Sequence, residues 1–223
     1  MNQLQISGIY AITDPNLLTS EQQLLDGVAQ ALAAGVSIIQ YRDKQATQAQ
    51  KLFRAKAITE LCNQHQAKCI INDSLSLALA ANAHGVHLGQ TDGSIAQARA
   101  ALPNDAIVGV TCHDDLQLAI KAQNEGASYV AFGRFFPSNT KPQAKPAKIS
   151  VLFEAKQQLS IPVVAIGGIN QHNIDQIIRT GVDSIAIIDA IFGQNDIRHS
   201  AQQLVHEFLA HEFNHSTNER SLG

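Results

Sequence analysis

Eight short runs of β-branched and other apolar residues recur along the chain, and Ala-, Gln- and Leu-rich stretches that fit helices separate most of them. Apolar residues stand on consecutive positions, as in VVAI and IAII, which is typical of strands buried on both faces of a parallel sheet. Eight strands alternating with helices over about 200 residues predict a single (β/α)8 TIM barrel of the α/β class. The predicted strands are 8–12, 37–40, 69–71, 85–88, 107–110, 129–132, 163–166 and 184–188.

Glycines support the same alternation, because three predicted helices end directly before one. These helices span 21–34, 114–125 and 171–180, and the glycines are Gly35, Gly126 and Gly181. An open doubly wound sheet is the alternative fold. Such sheets usually carry a glycine-rich phosphate loop after the first strand, and this chain has no G-x-G-x-x-G motif. We therefore favour the barrel.

The length of 223 residues and a hydrophobic content of 45% predict one domain that covers residues 1–223. A last helix is expected over 196–213, followed by a disordered polar tail at 214–223. A net charge of −3 excludes broad attraction to polyanions, so we expect no nucleic acid partner. Whether the chain forms a homo-oligomer stays open.

No apolar run is long enough to span a membrane, and the first residues lack the pattern of a secretory signal. The three cysteines contain no C-x-x-C pair, which indicates reduced thiols. Both observations predict a cytoplasmic protein without a membrane partner.

Polar side chains follow most of the predicted strands, at the end of the barrel where active sites of this fold are built. Arg42 and Lys44 follow the second strand, and Lys141 lies in the long loop after the sixth. Three converging cations indicate an anionic substrate, most plausibly a phosphate or diphosphate. Asp73 and Asp92 follow neighbouring strands, and two carboxylates beside a phosphate site predict one Mg²⁺ ion that bridges them to the substrate.

A second phosphate site is suggested by Gly167 and Gly168, since Asn170 could begin a helix whose N-terminus faces an anion. Other polar residues are given structural roles. Cys112 is expected to pack against the helices because its strand neighbours point the other way, and His84 and His87 flank a strand and are interpreted as structural.

The ordered motifs YAITD, QYRDK, IND, GVHLGQTD, TCH, FGRFFPSNTK and AIGGI, with the last strand, resemble the thiamine-phosphate synthase family over residues 8–192. The resemblance implies a transferase that joins hydroxymethylpyrimidine diphosphate to thiazole phosphate, releasing diphosphate and forming thiamine monophosphate. It also implies a dissociative, Mg²⁺-dependent substitution in which diphosphate leaves before the thiazole nitrogen attacks. The metal ligands would be Asp73 and Asp92, and the catalytic cations Arg42, Lys44 and Lys141.

The same resemblance assigns the substrate contacts to particular positions of this chain. They are Gln40, Tyr41, Arg42, Asp43, Lys44, Asn72, Thr111, Ser138, Asn139, Thr140, Lys141, Gly168, Ile188 and Asp189. Thr111 stands where the family usually has serine and Ser138 where it has threonine, so both hydroxyls are kept. Arg134 and Asp189 depart further, from a usual proline and a usual serine. An acidic side chain is unfavourable beside a phosphate, so Asp189 is expected to offer at most a backbone contact.

A thiazole tautomerase with a similar fold is the nearest alternative function, and a phosphate-ligand sensor without catalytic activity is another. Neither function would need the complete set of metal-binding and diphosphate-binding residues. The chain keeps that set intact, which favours the synthase. The preference between Mg²⁺ and Mn²⁺ and the role of the His-rich C-terminal segment stay open.

Overall fold

Eight parallel strands close a barrel in the computed structural model. The structure describes residues 6–138 and 145–220, and for residues 212–220 it describes the backbone only. Each strand pairs with its neighbours in chain order, and β1 pairs with β8 to complete the circle. The (β/α)8 barrel is therefore confirmed. The strands are β1 Gly8–Ile12, β2 Ile38–Tyr41, β3 Lys68–Asn72, β4 Gly85–Leu88, β5 Ile107–His113, β6 Tyr129–Phe132, β7 Val163–Ile166 and β8 Ser184–Ile187.

Helices follow the strands and surround the barrel. They are α1 Glu21–Ala33, α2 Gln48–Gln64, α3 Leu75–Ala80, α4 Ile95–Ala101, α5 Leu116–Asn124, α6 Ser150–Gln158, α7 Ile174–Ile178, α8 Asp189–Phe192 and α9 Ile197–Arg220. Side chains define several starts. Ser20, Thr47 and Ser94 each form a capping box with a glutamine three residues later, which satisfies otherwise unpaired N–H groups.

Predicted helix boundaries differ most from the structure at the start of α7 and at the end of α9. Helix α7 begins at Ile174 with Asn173 before it, and the Asn170 carbonyl oxygen Oδ1 instead accepts the N–H of His172 at 2.9 Å in a turn. Helix α9 continues to Arg220, past the end predicted at residue 213, because no glycine or proline interrupts residues 214–220. Residues 221–223 of the predicted tail lie outside the described part.

The strands place alternate side chains into two separate apolar layers. The outer layer lies between the barrel and the helices and includes Cys112, as predicted from its position. The inner layer fills the barrel and consists of Ile6, Tyr10, Ile12, Ile38, Ile70, Ile107, Tyr129, Ala131, Val164 and Ala186. A barrel of eight strands is thus a packed core with no channel through it.

The inner layer is packed tightly around the ring of Tyr129. A Cβ atom at Gly109, which pairs with Tyr129 across β5 and β6, would lie 2.1 Å from that ring. Glycine is therefore required on β5, since a side chain there would occupy the space of the ring. Within the described residues, none of the helices combines the length and apolar character that a bilayer span demands.

Candidate active site

A cavity of about 310 Å³ opens at the carboxyl ends of the strands, above the inner layer. It brings together most of the residues that the sequence assigned to the site. Those lining it are Gln40, Arg42, Lys44, Asn72, Asp73, Asp92, Thr111, Ser138, Gly168, Ile188 and Asp189. The predicted contacts Asn139, Thr140 and Lys141 lie outside the described residues.

The end of β2 divides the QYRDK motif between two faces. Tyr41 is buried in the outer layer, with 2% of its surface exposed. The Asp43 carboxylate, 4% exposed, pairs with Arg54 of α2 at 2.9 Å and accepts the N–H groups of Gln45 and Ala46. Neither residue lines the cavity, because alternation along the strand directs their side chains away from it. Their assignment as substrate contacts stays a prediction.

Burial alone would raise the pKa of Asp43. The hydrogen bonds from Ala46 and Gln45 and the charge of Arg54 outweigh that effect and hold its pKa below the ordinary value. Asp43 therefore fixes the loop that follows β2 and ties it to α2.

Arg42 is positioned through its backbone by a buried residue of the first strand loop. Thr13, 1% exposed, accepts the N–H of Arg42 at 2.9 Å and donates to its carbonyl oxygen at 3.2 Å. Lys44, two residues on, forms an ion pair with Asp73 at 3.2 Å. The second and third strand ends thus bring two cations and one carboxylate to a common wall.

Asp73 and Asp92 form the carboxylate pair at this wall. The Asp73 backbone has a φ of 62°, and its N–H donates to the carbonyl of His87 at 2.8 Å, which joins the ends of β3 and β4. The Asp92 carboxylate accepts the N–H of Gly89 at 3.0 Å. Partial burial and the negative charge of Asp73 both raise the pKa of Asp92, as expected for two carboxylates that share a site.

The donor set of this pair fits Mg²⁺. Hard oxygen ligands from one or two carboxylates, completed by phosphate and water oxygens, are the usual protein environment of this ion. No cluster of three His, Cys, Asp or Glu side chains suited to a metal occurs in the part of the chain that the structure describes. The remaining ligands would therefore have to come from substrate and water.

The opposite wall is built from the loops after β6, β7 and β8. Gly168 has a φ of 67°, and a Cβ atom there would lie 2.3 Å from the carbonyl oxygen of Pro137, so only glycine permits this close approach of two loops. The following helix α7 spans only Ile174–Ile178, which removes the predicted helix N-terminus facing a phosphate. The Ser138 side chain and the glycine backbone remain as candidate contacts.

Two departures from the family pattern also lie on this wall. Arg134 lines the cavity, and its Nη1 donates to the carbonyl of Phe136 at 3.3 Å, so it adds a positive charge near Ser138. Asp189 lines the rim at the start of α8, with its carboxylate beside Gly193: a Cβ atom on that glycine would lie 2.7 Å from Asp189 Oδ1.

Among the cavity residues that the sequence reasoning did not assign to the site are Tyr10, His87 and Tyr129. His87 Nδ1 lies 2.8 Å from the Tyr129 hydroxyl and its Nε2 lies 2.8 Å from Thr111 Oγ1. The interpretation of His87 as purely structural is therefore incomplete. Alternation in β4 would have revealed it, because the neighbours Val86 and Leu88 face the outer layer.

The other histidine of that pair has the structural role that we predicted. His84 Nδ1 accepts the N–H of Cys69 at 3.0 Å, and His84 does not line the cavity. Burial lowers its pKa.

Comparison with known proteins gives one consistent result. A family model described as thiamine monophosphate synthase matches residues 9–191. The thiamine-phosphate synthase of Alcanivorax borkumensis is 49% identical over 203 residues, which cover 90% of this chain and 93% of the relative. That of Nitrosococcus oceani is 47% identical over 196 residues, covering 88% of this chain and 90% of the relative.

A solved structure agrees with these sequence relatives. The thiamine phosphate pyrophosphorylase from Pyrococcus furiosus superposes with a TM-score of 0.84 at 32% sequence identity. The similarity covers 93% of this chain and 98% of that protein. The similarity therefore extends over nearly the full length of both proteins.

Proposed function

Because the chain belongs to the thiamine monophosphate synthase family and is a transferase, we propose that its cavity joins hydroxymethylpyrimidine diphosphate to thiazole phosphate. The products would be thiamine monophosphate and diphosphate. The observation that carries this proposal is a single cavity with cations and a carboxylate pair on one wall and a glycine-lined loop on the other. Two phosphorylated substrates need two such regions on either side of the reacting atoms.

The wall formed by β2 to β5 suits the diphosphate. Arg42 and Lys44 would neutralise its oxygens, and Thr111 would donate a hydroxyl hydrogen bond. Asp73 and Asp92 would hold one Mg²⁺, which supplies Lewis-acid stabilisation of the leaving diphosphate when it is bound. Lys141, outside the described residues, completes the proposed set of cations.

The second wall suits the thiazole phosphate. Ser138 and the backbone at Gly168 are proposed to bind the phosphate group, together with Asn139 and Thr140, which lie outside the described residues. Ile188 and the backbone of Asp189 would close the same side. These contacts would hold the thiazole nitrogen in line with the carbon that the diphosphate leaves.

A dissociative substitution fits this arrangement because it requires no protein nucleophile. The pyrimidine-methyl carbon would lose diphosphate first, and the thiazole nitrogen would then attack the resulting cation. Apolar side chains at the bottom of the cavity, among them Ile12, Val164 and Ile166, would limit the access of water to that cation. Cys112, the cysteine of the TCH motif, lies in the outer layer and takes no part.

Mixing the purified protein with both substrates, with and without Mg²⁺, tests the proposal. Thiamine monophosphate and diphosphate should appear in equal amounts and only with the metal. Folded protein that binds either substrate and yields no coupled product would contradict it. That outcome would return the thiazole tautomerase and the sensor, which the relatives do not favour, to consideration.

A cytoplasmic location belongs to the same proposal. All three cysteines are free and buried, which suits a reducing compartment.

A further inference from the structure

A chain of hydrogen bonds crosses the bottom of the cavity and connects two residues that line it. Gln40 Nε2 donates to the Tyr10 hydroxyl at 2.7 Å, and the hydroxyls of Tyr10 and Tyr129 are 2.8 Å apart. The Tyr129 hydroxyl lies 2.8 Å from His87 Nδ1, and His87 Nε2 lies 2.8 Å from Thr111 Oγ1. This hydrogen-bond chain therefore runs from Gln40 on β2 to Thr111 on β5.

Both tyrosines of this hydrogen-bond chain keep their single hydroxyl proton. Tyr10 is 1% exposed and Tyr129 is fully buried. Burial raises the pKa of each phenol well above its ordinary value, so neither ionises in the physiological range. Each hydroxyl can thus donate one hydrogen bond and must accept any other.

The donor at Gln40 indicates which group donates in each bond of the hydrogen-bond chain. Among the described residues, the Tyr10 hydroxyl has Gln40 and Tyr129 as its hydrogen-bond partners, and because it accepts from Gln40 it must donate to Tyr129. Tyr129, already an acceptor, then donates to His87 Nδ1. His87 is consequently a neutral imidazole with its proton on Nε2, and this N–H donates to Thr111 Oγ1.

We propose that His87 is a positioning residue whose Nε2–H tautomer, set by the hydroxyl donor of Tyr129, leaves the Thr111 hydroxyl proton directed to an anion in the cavity. The identity of that anion as the substrate diphosphate rests on the proposed function. If the chain ran in reverse, Thr111 would donate to His87 and would present only lone pairs to the ligand. The direction of four hydrogen bonds thus decides whether the Thr111 hydroxyl donates to a diphosphate oxygen or faces it with lone pairs.

The tautomer can be read directly, without any ligand. Proton–nitrogen correlation spectra of the protein with ¹⁵N-labelled histidine distinguish the two neutral tautomers from each other and from the cation, and a His87→Gln variant identifies the signals. We expect wild-type His87 to carry its proton on Nε2. A proton on Nδ1, or on both nitrogens, would overturn the proposal.

Two variants separate this directed chain from simple packing, since each removes one hydroxyl from the same buried pair. In Tyr10→Phe, His87 Nδ1 is the partner that remains for the single proton of Tyr129 among the described residues, so Tyr129 still donates and the Nε2–H tautomer should persist. In Tyr129→Phe, His87 loses the donor that fixes Nδ1 as an acceptor. Identical histidine spectra in these two variants would contradict the proposal.

Affinity for inorganic diphosphate with Mg²⁺, measured by calorimetry, tests the consequence at Thr111. We expect Tyr10→Phe to bind within about twofold of wild type and Tyr129→Phe to bind about tenfold more weakly. In a Thr111→Ala background, Tyr129→Phe should weaken diphosphate binding no further. A tenfold loss from Tyr129→Phe in that background would overturn the proposal. Failure of the wild type to bind diphosphate would count against the proposed function, while the histidine spectrum would still decide the tautomer.

Discussion

Asp92 lies at the exposed rim of the cavity, so replacing its carboxylate should affect chemistry more than folding. We predict that Asp92→Asn lowers the rate of coupled product formation by at least about 10², the usual result of losing one contact to developing charge. Initial rates at saturating substrates and metal measure this. Asp105 is exposed and lies at the opposite end of the barrel, so Asp105→Asn is the control and should keep wild-type turnover. Near-normal turnover of Asp92→Asn would contradict its assignment as a metal ligand.

Asp43 contributes to stability in a pH-dependent way, because its pKa is lower in the folded protein than in the unfolded chain. The ionised carboxylate therefore stabilises the fold at neutral pH, and this contribution disappears as the pH falls through about 4 and below. Asp43→Asn should cost roughly 1–3 kcal/mol at neutral pH and show a shallower loss of stability in acid. Urea unfolding from neutral pH to about pH 3 tests this, and parallel curves for the variant and wild type would disprove it.

Individual site residues were predictable where a motif matched and where strand alternation agreed with it. Asp73, Asp92 and Thr111 line the cavity as expected. Tyr41 was predicted as a contact with the rest of its contiguous motif, but a strand directs neighbouring side chains to opposite faces, and the Tyr41 side chain lies in the outer layer. The hydrogen-bond chain through His87 requires five strands to be brought together, which no local pattern encodes.

Helix α9 provides a matched pair of leucines for measuring how much its packing stabilises the barrel. Leu204 is 1% exposed and Leu209 is 49% exposed. Leu204→Ala should cost about 2–5 kcal/mol, whereas Leu209→Ala should stay within about 0.5 kcal/mol of wild type. Urea denaturation of both variants gives the comparison. Equal losses at the two positions would show that the helix does not pack through its Leu204 face.

At the scale of elements, the sequence predicts the start of α1 correctly and places the start of α7 too early. Ser20 precedes α1 and forms a capping box with Gln23, a pattern that is visible in the sequence. Asn170 offered the same kind of signal before α7, yet its side chain stabilises a turn and the helix begins later. A short polar side chain competes equally well for turn and helix N–H groups, so the residue type alone does not distinguish them.

At the scale of the whole molecule, the cavity lies at the carboxyl ends of the strands, and the loops at their amino ends lie on the opposite side of the barrel. Insertions at the two ends should therefore differ in their effect on activity. A five-residue Gly/Ser insertion between Asn104 and Asp105, before β5, should leave activity within about threefold of wild type. The same insertion between Gln90 and Thr91, beside Asp92, should lower activity by about 10² or more. Steady-state rates, with thermal unfolding to verify that both proteins fold, provide the test; similar losses in the two proteins would contradict it.

The barrel itself was the most predictable feature. Each strand of a closed barrel is buried on both faces, and the runs of consecutive apolar residues in the sequence indicate that burial. The runs 129–132 and 163–166 coincide with β6 and β7. Strand β5 is longer than predicted, reaching His113, since the register shifts between Thr111 and His113 and the polar end still pairs with β6. Irregular pairing of this kind leaves no hydrophobic pattern to read.

The close fit of Tyr129 against Gly109 restricts how this protein can be altered to accept other substrates. The two tyrosines form the lower boundary of the cavity and the upper boundary of the inner layer at once. Replacing either with a small residue would add depth only by opening a void into the barrel interior, and such voids are costly. Room for a bulkier ring must therefore be sought sideways, in the loops that follow β6 and β8, where Arg134 and Asp189 already vary from the usual pattern.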